Sequence, residues 1–237
     1  MSKTILLNQN WIFSKEGHDE PVTLPHTWNA IDGQDGGNDY YRGTCSYTTV
    51  LPDIVLPENG RAVLQFDAVA MTAEVYLNEQ KLAEHKGGYS AFCVDITDAL
   101  RNGSNLLRVT VDNSDNDTVY PQKADFTFYG GIYRDVTLHV VPAAHFVLAE
   151  NGAVPVKVTP IVTDLDARRC EVTVEAAVVG AESVTFTLDG QQTSVAVKDG
   201  TARAVFTLEH ARLWDGLDDP YLYTVTARLV NGETETA

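Results

Sequence analysis

The chain has 237 residues, of which 44% are hydrophobic, and it carries a formal net charge of −16 at pH 7. This hydrophobic content suffices for a packed core and excludes a disordered chain. The acidic surplus argues against binding to nucleic acid or to an anionic membrane. No apolar run approaches the roughly 18 residues of a membrane-spanning helix, and no signal peptide is visible. We therefore expect a cytoplasmic protein whose three cysteines are free thiols, namely Cys45, Cys93 and Cys170.

Alternation of apolar and polar residues predicts β-strands along the first half of the chain. The polar turn at residues 78–80 separates two short apolar runs and indicates a hairpin. No amphipathic helix longer than about two turns is indicated. The strands of this half are predicted at residues 62–68, 75–77, 81–83, 106–111 and 134–141.

The second half repeats the same pattern with stronger turn signals. The Asp-Gly pairs at residues 189–190 and 199–200 are typical of tight hairpins. Strands are predicted at residues 170–178, 184–188 and 221–229. Many short strands with frequent turns predict an all-β fold. We place an eight-stranded jelly-roll β-sandwich at residues 1–142 and an immunoglobulin-like β-sandwich at residues 143–237.

Two loops carry the residue types of a binding site. Residues 32–41 combine acids, glycines and tyrosines, as a sugar or hard-cation site would, but they do not match the EF-hand spacing. Residues 112–129 join acids and amides to several aromatic side chains. For both stretches an ordinary solvated loop is the favoured interpretation. The six histidines have no metal-site spacing, His26 is expected to make structural hydrogen bonds, and no glycosidase pair can be singled out among the 33 acids.

The order of motifs is similar to that of the front part of glycoside hydrolase family 2 enzymes, most closely β-galactosidases. The resemblance covers essentially the whole chain, and Gln9 departs from the family's usual glycine. The motifs are Leu7-Asn8-Gln9-Asn10-Trp11, Leu24-Pro25-His26-Thr27-Trp28-Asn29, Tyr41-Arg42-Gly43, Gly88-Tyr89-Ser90-Ala91-Phe92, Gly131-Ile132-Tyr133-Arg134-Asp135-Val136, Leu213-Trp214 and Asp219-Pro220-Tyr221-Leu222-Tyr223.

This resemblance implies a galactose-binding-like jelly roll, then an immunoglobulin-like domain, then a (β/α)₈ barrel with two catalytic glutamates that lies beyond residue 237. It implies no catalytic residue and no cofactor in this chain, and we expect the chain alone to be inactive. The parent enzyme would hydrolyse terminal β-galactosides, with β-glucuronides as the next choice. Its partners would be the carbohydrate, the catalytic barrel of the same chain and further copies in a homo-oligomer.

The resemblance also assigns site residues. Asp125 corresponds to an aspartate that contacts the sugar and helps to hold a metal ion, sodium or magnesium in the full-length enzyme. Asn38 or Asp39 lies near the place of a second sugar contact. Arg134 and Asp135 are expected to form a structural ion pair, and the three tryptophans to be core or interface residues. Two alternatives stay open: a complete carbohydrate-binding protein, and a purely structural tandem of β-sandwiches.

Overall fold

A computed structural model describes residues 2–32, 40–120, 127–148 and 153–237. The predicted all-β fold is confirmed, since regular helix is limited to one 3₁₀ turn at Thr97–Ala99 in the described residues. The strands are β1 (Lys3–Leu6), β2 (Trp11–Lys15), β3 (His18–Val22), β4 (Thr44–Val50), β5 (Arg61–Phe66), β6 (Thr72–Leu77), β7 (Gln80–Lys86), β8 (Phe92–Asp95), β9 (Leu106–Asp112), β10 (Val136–Val141), β11 (His145–Phe146), β12 (Val156–Asp164), β13 (Arg169–Val179), β14 (Ser183–Leu188), β15 (Gln191–Ala196), β16 (Thr201–Leu208), β17 (Val225–Leu229) and β18 (Thr234–Thr236).

The first compact unit comprises residues 3–141. It has a six-stranded antiparallel sheet in the order β3-β2-β4-β9-β6-β7 and a four-stranded one in the order β1-β10-β5-β8. One core joins the two sheets, and alternate residues of each strand enter it. Trp11, Tyr47 and Phe66 are among its fully buried side chains, each contributing about 1.5–3 kcal/mol of burial free energy.

The second compact unit comprises Ser2 together with residues 142–148 and 153–237. β13 pairs with β12 on one side and with β16 on the other, while the facing sheet has the order β15-β14-β17-β18. Buried residues of both sheets, such as Val174 and Phe186, form one core. Asp189 and Gly190 adopt the positive φ angles that a tight hairpin turn requires. The predicted β14–β15 hairpin is therefore confirmed.

The structure corrects three local predictions. β10 begins at Val136, not at residue 134, and Asp135 accepts a hydrogen bond from Asn8 at 2.8 Å. Within the described residues no ion pair joins Arg134 to Asp135, because the Arg134 guanidinium lies over the Tyr133 ring instead. The last long strand, predicted to start at residue 221, begins at Val225, because no strand of the described residues pairs with the backbone before it.

Cys45 and Cys170 are buried free thiols, as predicted. Burial raises the pKa of the Cys45 thiol to about 12, so it is not a nucleophile at neutral pH. The described residues contain no helix with the length and apolar composition of a membrane-spanning segment.

Candidate functional site

The connections that follow β3 and β9 meet at one end of the first domain and carry both of the predicted binding loops. We use the name loop platform for five residues of these connections: Trp28, Asn29, Asp32, Asn113 and Gly130. Asn29 and Asn113 are completely buried, although each carries a polar amide. Because buried polar groups need hydrogen-bond partners, the partners of these amides describe how the loops are held.

Asn29 is the first centre of the platform. Its Nδ2 donates to Oδ2 of Asp32 and to the carbonyl oxygen of Tyr41, both at 2.8 Å. Its Oδ1 accepts from the N–H of Gly130 at 2.7 Å and from Nδ2 of Asn113 at 3.2 Å. Asp32 Oδ2 also accepts from the N–H of Tyr41 at 2.8 Å. One side chain thus ties both ends of the first loop to the second.

Asn113, directly after β9, is the second centre. Its Nδ2 donates to the carbonyl oxygen of Phe128 at 2.9 Å and to that of Tyr41 at 3.2 Å. Its Oδ1 accepts from the N–H of Gly43 at 2.9 Å. Together with the contact to Asn29, both Nδ2 and Oδ1 of this amide have hydrogen-bond partners inside the protein. Such a satisfied buried network fixes one arrangement of the surrounding backbone.

The Gly130-Gly131 turn packs so closely that only glycine fits. A Cβ on residue 130 would collide with the Trp28 ring, and one on residue 131 would collide with the carbonyl oxygen of His26. Gly131 also has a φ of +138°, which strains any other residue. Its backbone pairs with that of Ala70 through two hydrogen bonds of 3.0 and 3.1 Å. This turn is a structural part of the platform.

His26 is a structural residue, as the sequence predicted. Its Nδ1 lies 2.7 Å from the hydroxyl of Tyr47, and its backbone N–H donates to the carbonyl oxygen of Ile132 at 2.8 Å. Burial lowers the pKa of His26, and the nearby Glu20 opposes that shift. Burial also raises the pKa of Tyr47. Both rings are therefore neutral at pH 7.

The outer layer of the platform is aromatic. Arg42 donates from Nε to the carbonyl oxygen of Asn113 at 2.8 Å, and its guanidinium lies 5.1 Å from the centre of the buried Phe128 ring. Tyr120 and Tyr129, on either side of residues 121–126, have 84% and 43% of their surface exposed. Exposed aromatic faces of this kind can pack against sugar rings.

The three predicted sugar contacts, Asn38, Asp39 and Asp125, lie outside the described residues, and so does the predicted metal ligand Asp125. The platform joins residues that flank 33–39 to residues that flank 121–126. The structural role of Asn29 and Asn113 could not be predicted from the sequence. They are 84 residues apart, and no local pattern marks a pair of amides that will meet in a core.

A separate polar groove lies on the outward face of the six-stranded sheet, with a volume of about 470 Å³. Hydrogen bonds from Lys81 lower the pKa of Glu74 and of Glu84. Burial would raise the pKa of Asp112, but hydrogen bonds from Ser114 and Thr44 outweigh it and the net shift is downward. These carboxylates stay ionised at neutral pH and cannot act as the general acid of a glycosidase, whose pKa must be raised. No group of metal-binding side chains occurs among the residues that the structure places.

Two family models match the chain. The one described as "Glycosyl hydrolases family 2, sugar binding domain" covers residues 2–142, and the one described as "Glycosyl hydrolases family 2" covers residues 140–237.

Individual relatives agree with the family models. The chain is 34% identical over 245 residues to a beta-glucuronidase of Bacteroides fragilis, covering 95% of this chain and 35% of that protein. It is 25% identical over 226 residues to a beta-galactosidase of Thermoanaerobacter pseudethanolicus, covering 91% of this chain and 30% of that one. The solved FMN-binding beta-glucuronidase of Facaelibacterium prausnitzii L2-6 is similar with a TM-score of 0.87 and 38% identity, covering 99% of this chain and 38% of that chain. The chain therefore spans about a third of the length of these relatives.

Proposed function

Because the chain belongs to glycosyl hydrolase family 2, as its ordered motifs predicted, we propose that it forms the non-catalytic front part of a retaining β-glycosidase. In this role the first domain supplies the edge of the sugar site and the second domain connects it to the catalytic barrel of the parent protein. The observation that carries the proposal is the match of both β-sandwiches, in order, to the two family models.

The loop platform supports the assignment of Asp125, Asn38 and Asp39 as sugar contacts. Edge residues of a glycosidase site contribute by holding the sugar in the orientation that the catalytic pair requires. The buried amides of Asn29 and Asn113 hold the flanks of both loops through bonds of 2.7–3.2 Å. Asp125 as a ligand of sodium or magnesium accords with the preference of hard cations for carboxylate oxygens. Both roles stay predictions, as do the homo-oligomer and the cytoplasmic location.

For the substrate we propose a β-glucuronide, with a β-galactoside as the second candidate. This replaces the β-galactoside that the sequence predicted, because the more similar relatives are named beta-glucuronidases. The relatives at 34% and 38% identity are beta-glucuronidases. The beta-galactosidase of Thermoanaerobacter pseudethanolicus stands at 25%, and one of Thermoanaerobacterium thermosulfurigenes at 31% over 59% of this chain. In the parent, two carboxylates about 5–5.5 Å apart would carry the double-displacement chemistry of a retaining enzyme.

The test uses the full-length parent and the present chain side by side. We expect the parent to release p-nitrophenol from its β-D-glucuronide with a higher kcat/KM than from its β-D-galactoside, and the present chain to release none from either. Turnover by the present chain would contradict the proposed division of labour. A parent that hydrolyses neither glycoside would contradict the proposed activity, and a higher kcat/KM for the galactoside would support the second candidate.

The role of Asp125 is tested in the same parent enzyme. Asp125→Asn should lower kcat/KM at least tenfold, which corresponds to about 1.4 kcal/mol of transition-state stabilisation. Asp117→Asn is the matched control, because Asp117 is an exposed acid of the same connection and its change should leave kcat/KM within about twofold. Equal effects of the two substitutions would remove Asp125 from the site.

A further inference from the structure

Asn-Gly pairs occur on three turns of the described residues, before β5, before β9 and before β18. In such a pair the backbone nitrogen of the glycine lies within reach of the side-chain carbonyl carbon of the asparagine, and no side chain shields it. Attack on that carbon requires a nitrogen that is in contact with water and free of other hydrogen bonds. The surroundings of each glycine N–H therefore decide which pair can react. The pairs are Asn59-Gly60, Asn102-Gly103 and Asn231-Gly232, and a fourth, Asn151-Gly152, lies outside the described residues.

Two of the three glycine N–H groups are already hydrogen-bonded. The N–H of Gly60 donates to the carbonyl oxygen of Pro57 at 2.9 Å, and Gly60 itself is buried. The N–H of Gly232 donates to the carbonyl oxygen of Leu229 at 3.0 Å. Both turns must open locally before their glycine nitrogen can attack the neighbouring side chain, and such an opening costs free energy.

The Asn102-Gly103 pair has neither form of protection. Both residues are exposed, and no atom lies within 4 Å of the position that a Cβ on residue 103 would take. In the part of the chain that the structure describes, the N–H of Gly103 and the amide of Asn102 make no hydrogen bond. The amide of Asn231, by contrast, donates from Nδ2 to the carbonyl oxygen of Ala144 at 2.7 Å.

The turn that carries Asn102 is held by a different residue. Asn105 is only 5% exposed, and its Nδ2 donates to the carbonyl oxygens of Arg101 at 2.9 Å and of Gly103 at 3.0 Å. Its Oδ1 accepts from the N–H of Arg101 at 2.8 Å. These bonds occupy the carbonyl groups of the turn and leave the N–H of Gly103 unused. The turn therefore keeps its shape while its reactive nitrogen stays in contact with water.

We propose that Asn102 is a site of spontaneous deamidation in this protein, and that it reacts ahead of Asn59 and Asn231. The nitrogen of Gly103 gives its proton to hydroxide and attacks Cγ of Asn102, which closes a succinimide ring. The Cγ–Nδ2 bond breaks, and Nδ2 leaves as ammonia after taking a proton from water. A second water molecule opens either carbonyl of the ring and gives aspartate or isoaspartate. The sum is one water consumed and one ammonia released, with no oxidation or reduction.

The reaction changes the charge and the length of the turn. The new carboxylate makes the net charge of −16 more negative by one unit. Isoaspartate also places its Cβ in the main chain between residues 102 and 103, which lengthens the stretch that Asn105 spans. The hydrogen bond from Asn105 to the carbonyl oxygen of Gly103 is therefore weakened in the isoaspartate form.

The test incubates the present chain in mildly alkaline buffer, folded and in guanidinium chloride, and follows each pair by peptide mapping with mass spectrometry. In the unfolded chain, Asn59, Asn102 and Asn231 should react at similar rates, since each precedes a glycine. In the folded chain, Asn102 should keep its rate within roughly threefold, whereas Asn59 and Asn231 should slow by roughly tenfold or more, because their turns must open first. A folded chain in which Asn59 or Asn231 reacts as fast as Asn102 would overturn the proposal, as would a tenfold slowing of Asn102 itself.

A matched variant separates the charge of the product from its longer backbone. Asn102→Asp carries the same added charge on a main chain of ordinary length, and this exposed change should leave the fold intact. The isoaspartate form, isolated by ion exchange and identified with an isoaspartyl methyltransferase, should unfold at a lower urea concentration than Asn102→Asp. Equal midpoints of the two proteins would overturn the assigned effect on the Asn105 turn.

Discussion

The loop platform of the first domain and the apolar groove of the second domain differ in how their side chains are satisfied. The groove has a volume of about 460 Å³, and the residues that line it include Val162, Trp214, Leu222 and Tyr223. At the platform, buried polar groups are satisfied by residues of the same domain, with Asn29 and Asn113 at its centre. At the groove, apolar side chains and a strand edge are left without cover in the described residues. The difference indicates that the first domain satisfies these buried polar groups internally, whereas the second domain leaves several large apolar side chains exposed around its groove.

The largest expected effect separates two tryptophans, one from each region. Trp28 is 8% exposed and stacks on Phe13 with ring centres 5.8 Å apart, whereas Trp214 is 63% exposed. Trp28→Ala should lower the free energy of unfolding of the first domain by about 3–5 kcal/mol, through lost packing and a cavity. Trp214→Ala should change that of the second domain by less than about 0.5 kcal/mol. Both changes in unfolding free energy are measured by urea unfolding, followed by hydrogen exchange in each domain. Similar losses from the two substitutions would contradict the proposed difference between the two regions.

The next effect tests whether amide networks differ between the regions in the same way. Asn113→Ala would remove a donor to the carbonyl oxygen of Phe128 and the acceptor of the partly buried Gly43 N–H, so we expect a loss of about 3 kcal/mol. Asn231→Ala is the matched change in the second domain, where the exposed amide donates to the carbonyl of Ala144 at 2.7 Å. It should cost about 0.5 kcal/mol or less. An Asn113→Ala protein as stable as the Asn231→Ala protein would show that the platform is not held by its amides.

The smallest effect is a pH dependence of the first domain. Burial lowers the pKa of His26 and of His139, with nearby acids opposing the shift. The folded domain therefore binds fewer protons than the unfolded chain below the unfolded value of about 6.5. Stability should be complete above that pH and decline as the pH falls from 7.5 to 5.5. With allowance for solvent screening, the decline should be on the order of 1 kcal/mol or less.

Substitution of the less connected histidine checks this origin. His139→Gln should flatten the decline between pH 7.5 and 5.5 in urea unfolding of the first domain, because one of the two groups no longer titrates. A decline of unchanged slope would assign it to other groups.

Local patterns predicted much of the fold. The alternation around Leu64 and Val174 located strands because a strand exposes its faces with a period of two residues. The Asp189-Gly190 turn was recognisable because few residues adopt positive φ angles. The start of β17 was misplaced at residue 221, because the same alternation continues through Tyr221 and Tyr223, although no strand in the described part of the chain pairs with them. The alternation of apolar and polar residues shows which residues can form a strand. Whether they do so depends on a neighbouring strand that pairs with them.

By itself, the sequence determined the all-β class, the sequence of strands and turns, and the family, because each depends on neighbouring residues or on motif order along the chain. Only the tertiary structure decided that Asn29 and Asn113 meet, and that the second domain leaves a groove beside Tyr223. Both depend on contacts between residues far apart in the chain. A buried amide or an uncovered strand edge is defined by its neighbours in space, and those neighbours cannot be predicted from the spacing of residues along the sequence.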